Sequence, residues 1–232
     1  MVYSPLTQAG LFLVQTAFGL YAAMVLLRLL FQAMDVDFRN PLSQFVYKAT
    51  QPVLRPLRRV LPWRARVEPA LLALLLLVKL LEVYALSGLR GYLPGLIGAL
   101  LMALAQSLSL LTLTLSALLI VRAIASWVVA AGAGYNPMLS LLEQLTEPLL
   151  APLRRIIPPL GGIDFSVLLA LVAVQLVNIL LVQPFIVLAA RVMVQGLRTQ
   201  RRIVARAWRG GWMFWCSRGR RAPNWQACTM AA

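Results

Sequence analysis

Four long runs of apolar residues divide the chain, and more polar segments separate them. The runs lie near Gly10–Phe31, Pro69–Gly88, Leu96–Val121 and Phe165–Ala190. A helix needs about 20 apolar residues to cross a bilayer, so each run predicts one transmembrane helix. No Lys or Arg precedes the first run, and we therefore expect it to be retained as a span rather than cleaved as a signal peptide. The pattern predicts an all-α polytopic membrane protein.

Two of the polar segments match each other without a gap at an offset of 96. They are Asn40–Pro62 and Asn136–Pro158, and ten of their 23 positions are identical, including four prolines and an Arg pair. This agreement indicates an internal duplication in which each repeat contains a span, the motif and a second span. Both motifs should then lie on the same side of the membrane. We predict a first repeat over residues 5–90, a second over 91–197, and a disordered, basic, Trp-rich tail over 198–232.

Each motif is predicted to form two short helices at the level of the lipid headgroups. An Asn-Pro pair begins the first helix, because Asn caps helices well and Pro is tolerated at the first helical position. A Thr should cap the second helix, with one Pro in its first turn, another that kinks or breaks it, and a last Pro that ends it. In chain order these residues are Asn40, Pro41, Thr50, Pro52, Pro56 and Pro62 in the first motif, and Asn136, Pro137, Thr146, Pro148, Pro152 and Pro158 in the second.

The first helix of the first motif should be amphipathic and lie in the membrane interface. Its apolar face would carry Leu42, Phe45, Val46 and Ala49, and its other face Ser43, Gln44 and Lys48. We expect the apolar face to contact lipid or the spans.

The duplicated Arg pair is the sharpest charged feature of the motifs. It consists of Arg58 and Arg59 in the first motif and of Arg154 and Arg155 in the second. One interpretation is anchoring to lipid phosphate by charge alone. The other is a specific site for an anionic lipid or for a carboxylate of a partner, which the fixed Pro-x-Arg-Arg spacing favours because anchoring needs charge but no spacing.

The chain has a net charge of +15, yet only 12% of its residues are charged and 61% are hydrophobic. We attribute the positive charge to Arg and Lys beside the spans, which attract anionic lipid, rather than to nucleic-acid binding. There is no His, and Cys216 and Cys228 match no metal-binding pattern. Glu147 and Asp164 are isolated acids without a catalytic context. We therefore predict no enzyme activity, no metal and no cofactor.

The distribution of Lys and Arg also predicts the topology. They concentrate in the two motif loops, and Arg28 and Arg122 close the preceding spans at an offset of 94. The positive-inside rule then predicts an external N-terminus and cytoplasmic motifs. Four spans would place the basic tail outside, which conflicts with its charge, so a fifth crossing or a tail that folds back stays an alternative.

Polar residues also occupy the middle of the second and fourth spans. Lys79 and Glu82 lie three residues apart, and the offset of 96 places Gln175 and Asn178 at the same depth. We predict that these two spans pack together and join the four side chains in one buried network. Charges at this depth are rare and favour a functional interpretation. The structural alternative is polar packing between helices by a pair that neutralises itself.

The second motif and the residues after it, LTEPLLAPLRRIIPPLGGIDFS, closely resemble the YggT family of bacterial membrane proteins. The resemblance extends over about residues 5–197. It implies a four-span, multi-pass protein of the bacterial inner membrane with two repeats and no established catalytic residues. It also implies a link to osmotic and cation tolerance, and for plastid and cyanobacterial relatives a link to division and cytochrome maturation. The turn with Gly161, Gly162 and Asp164 is family-like, whereas Trp63–Glu68 departs from it in the first repeat.

Together these features favour a scaffold or assembly factor that acts through the motifs. Its expected partners are anionic membrane lipids and either a membrane protein or further copies of the chain. The alternative is an ion channel or secondary transporter that uses Lys79, Glu82 and the polar residues of the third and fourth spans. In the third span these are Gln106, Ser109, Thr112 and Ser116.

Overall fold

The computed structural model describes residues 5–34, 41–60, 68–130, 137–154 and 165–195, and these residues form helices and no strand. The helices are α1 (Pro5–Ala33), α2 (Pro41–Val60), α3 (Pro69–Leu89), α4 (Leu96–Ala130), α5 (Pro137–Arg154) and α6 (Phe165–Val177). A π-helical turn, Asn178–Val182, follows α6 directly, and a further α-helix, α7, continues from it over residues 183–195.

Four helical stretches are long and apolar enough to cross a membrane. They are Pro5–Ala33, Pro69–Leu89, Leu96–Ser126 and Ser166–Gln195. The predicted all-α fold with four spans is therefore confirmed. In chain order, the motif helix α2 stands between the spans of the first repeat and the motif helix α5 between those of the second. Both are too polar to cross a membrane themselves.

The spans pack in the succession α1, α3, α4, α6. α3 packs against α1 in its own repeat and against α4 in the other, and α4 packs against α6. α2 lies against α1 and α3, and α5 lies against α4 and α6. The prediction that the second and fourth spans pack together was wrong, since α3 and α6 make no comparable contact in the described part of the chain. α4 occupies the position between them.

A shared apolar cluster places both motif helices at the same end of the bundle. Leu30 and Phe31 at the end of α1 pack with Val46 of α2 and with Leu141 and Leu145 of α5. Each repeat also has its own cluster, which joins its two spans to its motif helix around Leu54 or Leu150. This packing agrees with the expectation that both motifs lie on one side of the membrane, which stays a prediction.

Each motif forms one continuous helix rather than the two short helices predicted. Thr50 is fully buried in the middle of α2, where its hydroxyl donates to the carbonyl of Val46 at 2.8 Å. Thr146 donates in the same way to the carbonyl of Leu142 at 2.7 Å in α5. A Thr inside a helix can satisfy its hydroxyl on the carbonyl one turn back. The N-cap assignment of Thr50 and Thr146 was therefore wrong.

The prolines do not break these helices because of the face on which they lie. Pro52 and Pro56 are exposed, as are their equivalents Pro148 and Pro152. A proline leaves the carbonyl four residues earlier without a helical donor. In α2 these carbonyls belong to Lys48 and to Pro52 itself, which are exposed residues. Water or lipid headgroups can therefore satisfy them, and the buried side of the helix stays intact.

The buried face of α2 differs from the predicted apolar face. Ser43, Val46, Thr50 and Leu54 are buried, at helical spacing, against the spans. Phe45, by contrast, is 61% exposed. The presence of Ser43 and Thr50 on the packed face explains the error, because a count of apolar residues assigns both to the wrong side.

Glycines shape the connection of the two repeats and one helix crossing. Gly91 has a φ of 76° in the turn between α3 and α4, a conformation that favours glycine. Gly98 lies near the start of α4, where an added Cβ would be 2.9 Å from the Cα of Met193 in α7. Gly98 therefore permits the start of α4 and the end of α7 to approach each other closely.

Several predicted features lie outside the described residues. They are Asn40, Pro62, Asn136, Arg155, Pro158, Gly161, Gly162, Asp164 and the tail over 198–232. Pro41 and Pro137 are the first residues of α2 and α5, as the sequence predicted for helix starts.

Candidate membrane-interface site at the motif helices

A buried arginine fastens the first motif helix to the first span. Arg28 of α1 is only 3% exposed. Its guanidinium donates to the Thr50 hydroxyl at 2.6 Å, to the Tyr47 carbonyl at 3.2 Å and to Gln51 Oε1 at 3.1 Å. It also stacks over the Tyr47 ring, with Cζ 4.2 Å from the ring centroid. We call this arrangement the first joint; all of its acceptors are uncharged, and they lie on α2.

The second repeat has a joint at the same positions with different chemistry. Arg122 of α4 approaches Glu143 at 3.7 Å and Glu147 at 4.0 Å, both on α5. Glu143 and Glu147 stand where the offset of 96 places Tyr47 and Gln51 in the first repeat. The internal duplication is therefore visible in three dimensions, and the second joint replaces neutral acceptors with two carboxylates.

The two arginines of the first motif have different surroundings. Arg58 forms a bidentate ion pair with Glu68, with Nη2 at 2.8 Å from both carboxylate oxygens and Nε at 3.2 Å from Oε2. Burial lowers the pKa of Arg58, but the hydrogen bonds and charge of Glu68 outweigh burial, and the net pKa lies above its usual value. This pair ties the last turn of α2 to the start of α3. Arg59, like Arg55, is exposed.

In the second motif the corresponding pair is arranged within one helix. Arg154 donates to Glu147 at 3.0 and 3.1 Å, and Glu147 also lies near Arg122. Glu147 therefore stands between two arginines and contributes to the second joint rather than acting as an isolated acid. The family-like turn with Gly161, Gly162 and Asp164 lies outside the described residues.

The predicted pair inside the membrane forms as expected. Lys79 Nζ donates to Glu82 Oε2 at 2.8 Å, and the two side chains are 7% and 5% exposed. The other half of the predicted network is elsewhere. Gln175 donates to Ser116 of α4 at 3.4 Å, and Asn178, in the π-helical turn, accepts from Gln183 at 3.4 Å. The structure therefore keeps two separate polar groups, because α3 and α6 lie on different sides of α4.

Sequence reasoning missed the importance of Arg28 and Arg122. An arginine at the end of a span is ordinarily explained by topology alone. The signal that could have revealed them was their repetition together with their partners, because positions 47 and 51 of the first motif correspond to Glu143 and Glu147. Among the described residues, no group of three or more His, Cys, Asp or Glu side chains could hold a metal ion.

These features define a class of protein: a helical, four-span membrane protein built from two span–motif–span repeats, each with an arginine joint. A sequence model of the CCB3/YggT family matches residues 7–89 and again residues 101–185. The two matches together cover well over half of the chain. This chain therefore belongs to the CCB3/YggT family.

Several bacterial proteins are similar to this chain over most of their length. The chain is 38% identical to Uncharacterized protein PA0392 of Pseudomonas aeruginosa over 181 residues, 76% of this chain and 90% of that protein. It is 41% identical to Uncharacterized protein in proC 3'region of Vibrio alginolyticus over 172 residues, 73% and 91% of the two chains. It is 38% identical to Uncharacterized protein YggT of Escherichia coli K12 over 167 residues, 72% and 86%. No solved structure matches it.

Proposed function

We propose that this protein is a non-enzymatic scaffold of the bacterial inner membrane that holds anionic lipids and partner proteins through its cytoplasmic Pro-x-Arg-Arg motifs. One observation carries the proposal: on α2, Arg58 is engaged by Glu68 while Arg55 and Arg59 are exposed. As its physiological setting we propose osmotic and cation homeostasis or organisation of the cell envelope.

The first joint supports this function because it fixes the orientation of α2. A helix held only by lipid could rotate, and its exposed charges would have no defined position. Here Arg28 holds the middle of α2 and the Arg58–Glu68 pair holds its end. Arg55 and Arg59, four residues apart, lie on one side of the helix. Two guanidinium groups at a fixed separation suit planar anionic groups such as phosphate and carboxylate.

The experiment neutralises the exposed arginines and compares them with the engaged one. Each basic residue near an anionic surface contributes about 1 kcal/mol, so Arg55→Gln with Arg59→Gln should weaken binding of an anionic phospholipid by about 30-fold. Binding is measured on the purified protein in neutral detergent, by titration with a labelled phosphatidylglycerol. Its thermal stability in the same detergent should stay unchanged.

Arg58→Gln is the matched control for Arg59→Gln alone, because each variant removes one positive charge from the same turn of the helix. Arg58→Gln should lower thermal stability by breaking the pair with Glu68, and it should change lipid affinity less than Arg59→Gln. Arg55→Lys with Arg59→Lys distinguishes charge from geometry: full affinity in this variant means simple charge anchoring. Equal loss of affinity in Arg58→Gln and in Arg59→Gln would contradict the proposal.

The second candidate function is an ion channel or secondary transporter. The observation that favours it is the polarity buried in the spans. Lys79 and Glu82 are buried, and Gln106 of α4 has a buried amide oxygen without a partner among the described residues. Flux of K⁺, Na⁺ or protons into liposomes that contain this protein alone, abolished by Lys79→Met with Glu82→Leu, would favour transport over the scaffold.

A further inference from the structure

The second spans of the two repeats are equivalent in sequence but not in their neighbours. α3 is covered by α1 on one side and by α4 on another. Its equivalent, α6, packs against α4 and α5 and makes no comparable contact with a further span in the described part of the chain. One side of α6 is therefore open where the same side of α3 is covered by α4.

The exposed surface of α6 and of the turn after it is mostly apolar, with residues such as Leu168 and Leu180, but three amides interrupt it. Lys79, Glu82 and Ser87 are buried on α3, and the offset of 96 places Gln175, Asn178 and Gln183 at these positions. Gln175 and Gln183 are exposed, and Asn178 is half-buried. Gln175 also donates to Ser116 of α4 at 3.4 Å, so the amides lie at the border between the α4 contact and the open side. The π-helical turn begins at Asn178 and brings it within 3.4 Å of Gln183, five residues later. π-helical turns of this kind are frequent at functional sites.

Lipid alone is a poor neighbour for these three amides. A carboxamide has two N–H donors and an oxygen with two lone pairs, so a single long hydrogen bond leaves most of its capacity unused. The hydrocarbon core of a membrane offers no hydrogen-bonding groups. Polar side chains within spans accordingly tend to face other helices. These amides of α6 therefore point to a protein neighbour beside them.

α1 carries the complementary open surface. Ala9, Phe12 and Thr16 are exposed and share one face of the helix. The offset of 94, which relates Arg28 to Arg122, places Ala103, Gln106 and Leu110 of α4 at these positions. Ala103 is fully buried, and Leu110 packs against the apolar cluster that includes Leu71 and Leu74 of α3. The face with which α4 meets α3 is thus open on α1.

We propose that α6 of one copy packs against α1 of the next copy and so repeats, between molecules, the contact that α3 makes with α4 inside each molecule. The occupant is a second copy because both halves of the contact are present and open on every chain. Such a contact is head-to-tail, and it closes into a ring if the rotation between copies allows. The amides of α6 and Thr16 of α1 would lie within this interface.

The internal contact also gives the register. A short turn joins the end of α3, Leu89, to the start of α4, Leu96. Lys79 lies as many residues before Leu89 as Gln106 lies after Leu96. They are therefore at equal depth, and so are their counterparts Gln175 and Phe12 in the proposed contact.

The test is disulfide formation in native membranes between two full-length chains with different tags, both with Cys216→Ser and Cys228→Ser. One chain carries Phe12→Cys and the other Gln175→Cys. A disulfide requires Cα atoms within about 7 Å, so we expect a mixed dimer that contains both tags. The matched control is Leu13→Cys with Leu176→Cys, which moves each cysteine one residue along and around its helix to another exposed face.

The proposal is overturned if the first pair forms no mixed dimer, if both pairs cross-link equally, or if Gln175→Cys cross-links to a different protein instead. A second measurement does not depend on cysteines. The mass of the protein in lipid nanodiscs should be a multiple of the chain mass of 25.6 kDa. Asn178→Leu with Gln183→Leu should reduce the mass to that of one chain. If the unmodified protein already has the mass of one chain, the contact is refuted. Neither result depends on whether the motifs bind anionic lipid.

Discussion

The pair of Lys79 and Glu82 allows a quantitative test of how this protein tolerates charge inside the membrane. Both side chains are nearly inaccessible, at 7% and 5% exposure, and their charged atoms are 2.8 Å apart. Removing one partner leaves an uncompensated buried charge, which costs about 3–5 kcal/mol. Glu82→Leu and Lys79→Met should therefore each lower the free energy of unfolding by this amount.

The double variant should be far more stable than either single one. Replacing a buried ion pair by apolar residues of similar volume is often neutral or stabilising by about 1–4 kcal/mol. The free energy of unfolding of Lys79→Met with Glu82→Leu should therefore lie within about 1 kcal/mol of that of the unmodified protein, or above it. If the two losses were independent, the double variant would instead lose about 6–10 kcal/mol.

The assay is reversible unfolding of the purified protein in mixed micelles with increasing sodium dodecyl sulfate, followed by circular dichroism. Leu77→Ala and Leu81→Ala form the control pair, because these residues lie on the same helix at 45% and 51% exposure. Each should change stability by less than about 0.5 kcal/mol, and the two changes should add. Additive losses at Lys79 and Glu82 as well would refute the reasoning that the charges compensate each other.

Two further predictions concern the fold. Gly98→Ala places a Cβ 2.9 Å from the Cα of Met193 and should lower the free energy of unfolding by about 1–3 kcal/mol. Gly19→Ala is the control: its Cβ would have nothing within 4 Å, so it should be neutral or stabilising by up to about 1 kcal/mol. Equal effects in the same unfolding assay would argue against a close crossing. Cysteines introduced at Lys48 and Gln144, both exposed on the motif helices, should react with an impermeant maleimide only from the cytoplasmic side, and labelling from opposite sides would refute the parallel arrangement.

The spans could be predicted from sequence because length and hydrophobicity alone determine whether a helix can cross a bilayer. The placement of both motifs at one end also followed from the sequence, because two spans per repeat return the chain to the same side. The pairing of Lys79 with Glu82 was predictable for a local reason, since residues three apart on a helix are neighbours.

The remaining features depend on tertiary contacts that the repeat does not encode by itself. Whether Pro56 breaks α2 depends on which side of the helix faces the spans. That side could not be identified by hydrophobicity, because it carries the polar residues Ser43 and Thr50. The roles of Arg28 and Arg122 depend on which motif residues they reach. A duplication predicts two similar units but not whether they close around a common axis, and here α4 separates α3 from α6.

The two joints differ in a way that makes them respond unequally to salt. Arg28 is held by three neutral acceptors, the Tyr47 carbonyl, the Thr50 hydroxyl and the Gln51 side-chain oxygen, and its guanidinium is buried. Arg122 depends on Glu143 and Glu147, whose side chains are 63% and 48% exposed. The screening length of water falls from about 10 Å at 0.1 M salt to about 3 Å at 1 M, which weakens exposed ion pairs far more than buried hydrogen bonds. Rising ionic strength around the motif helices would therefore weaken the second joint while the first joint is kept, so that α5 would depend more on its apolar contacts around Leu150.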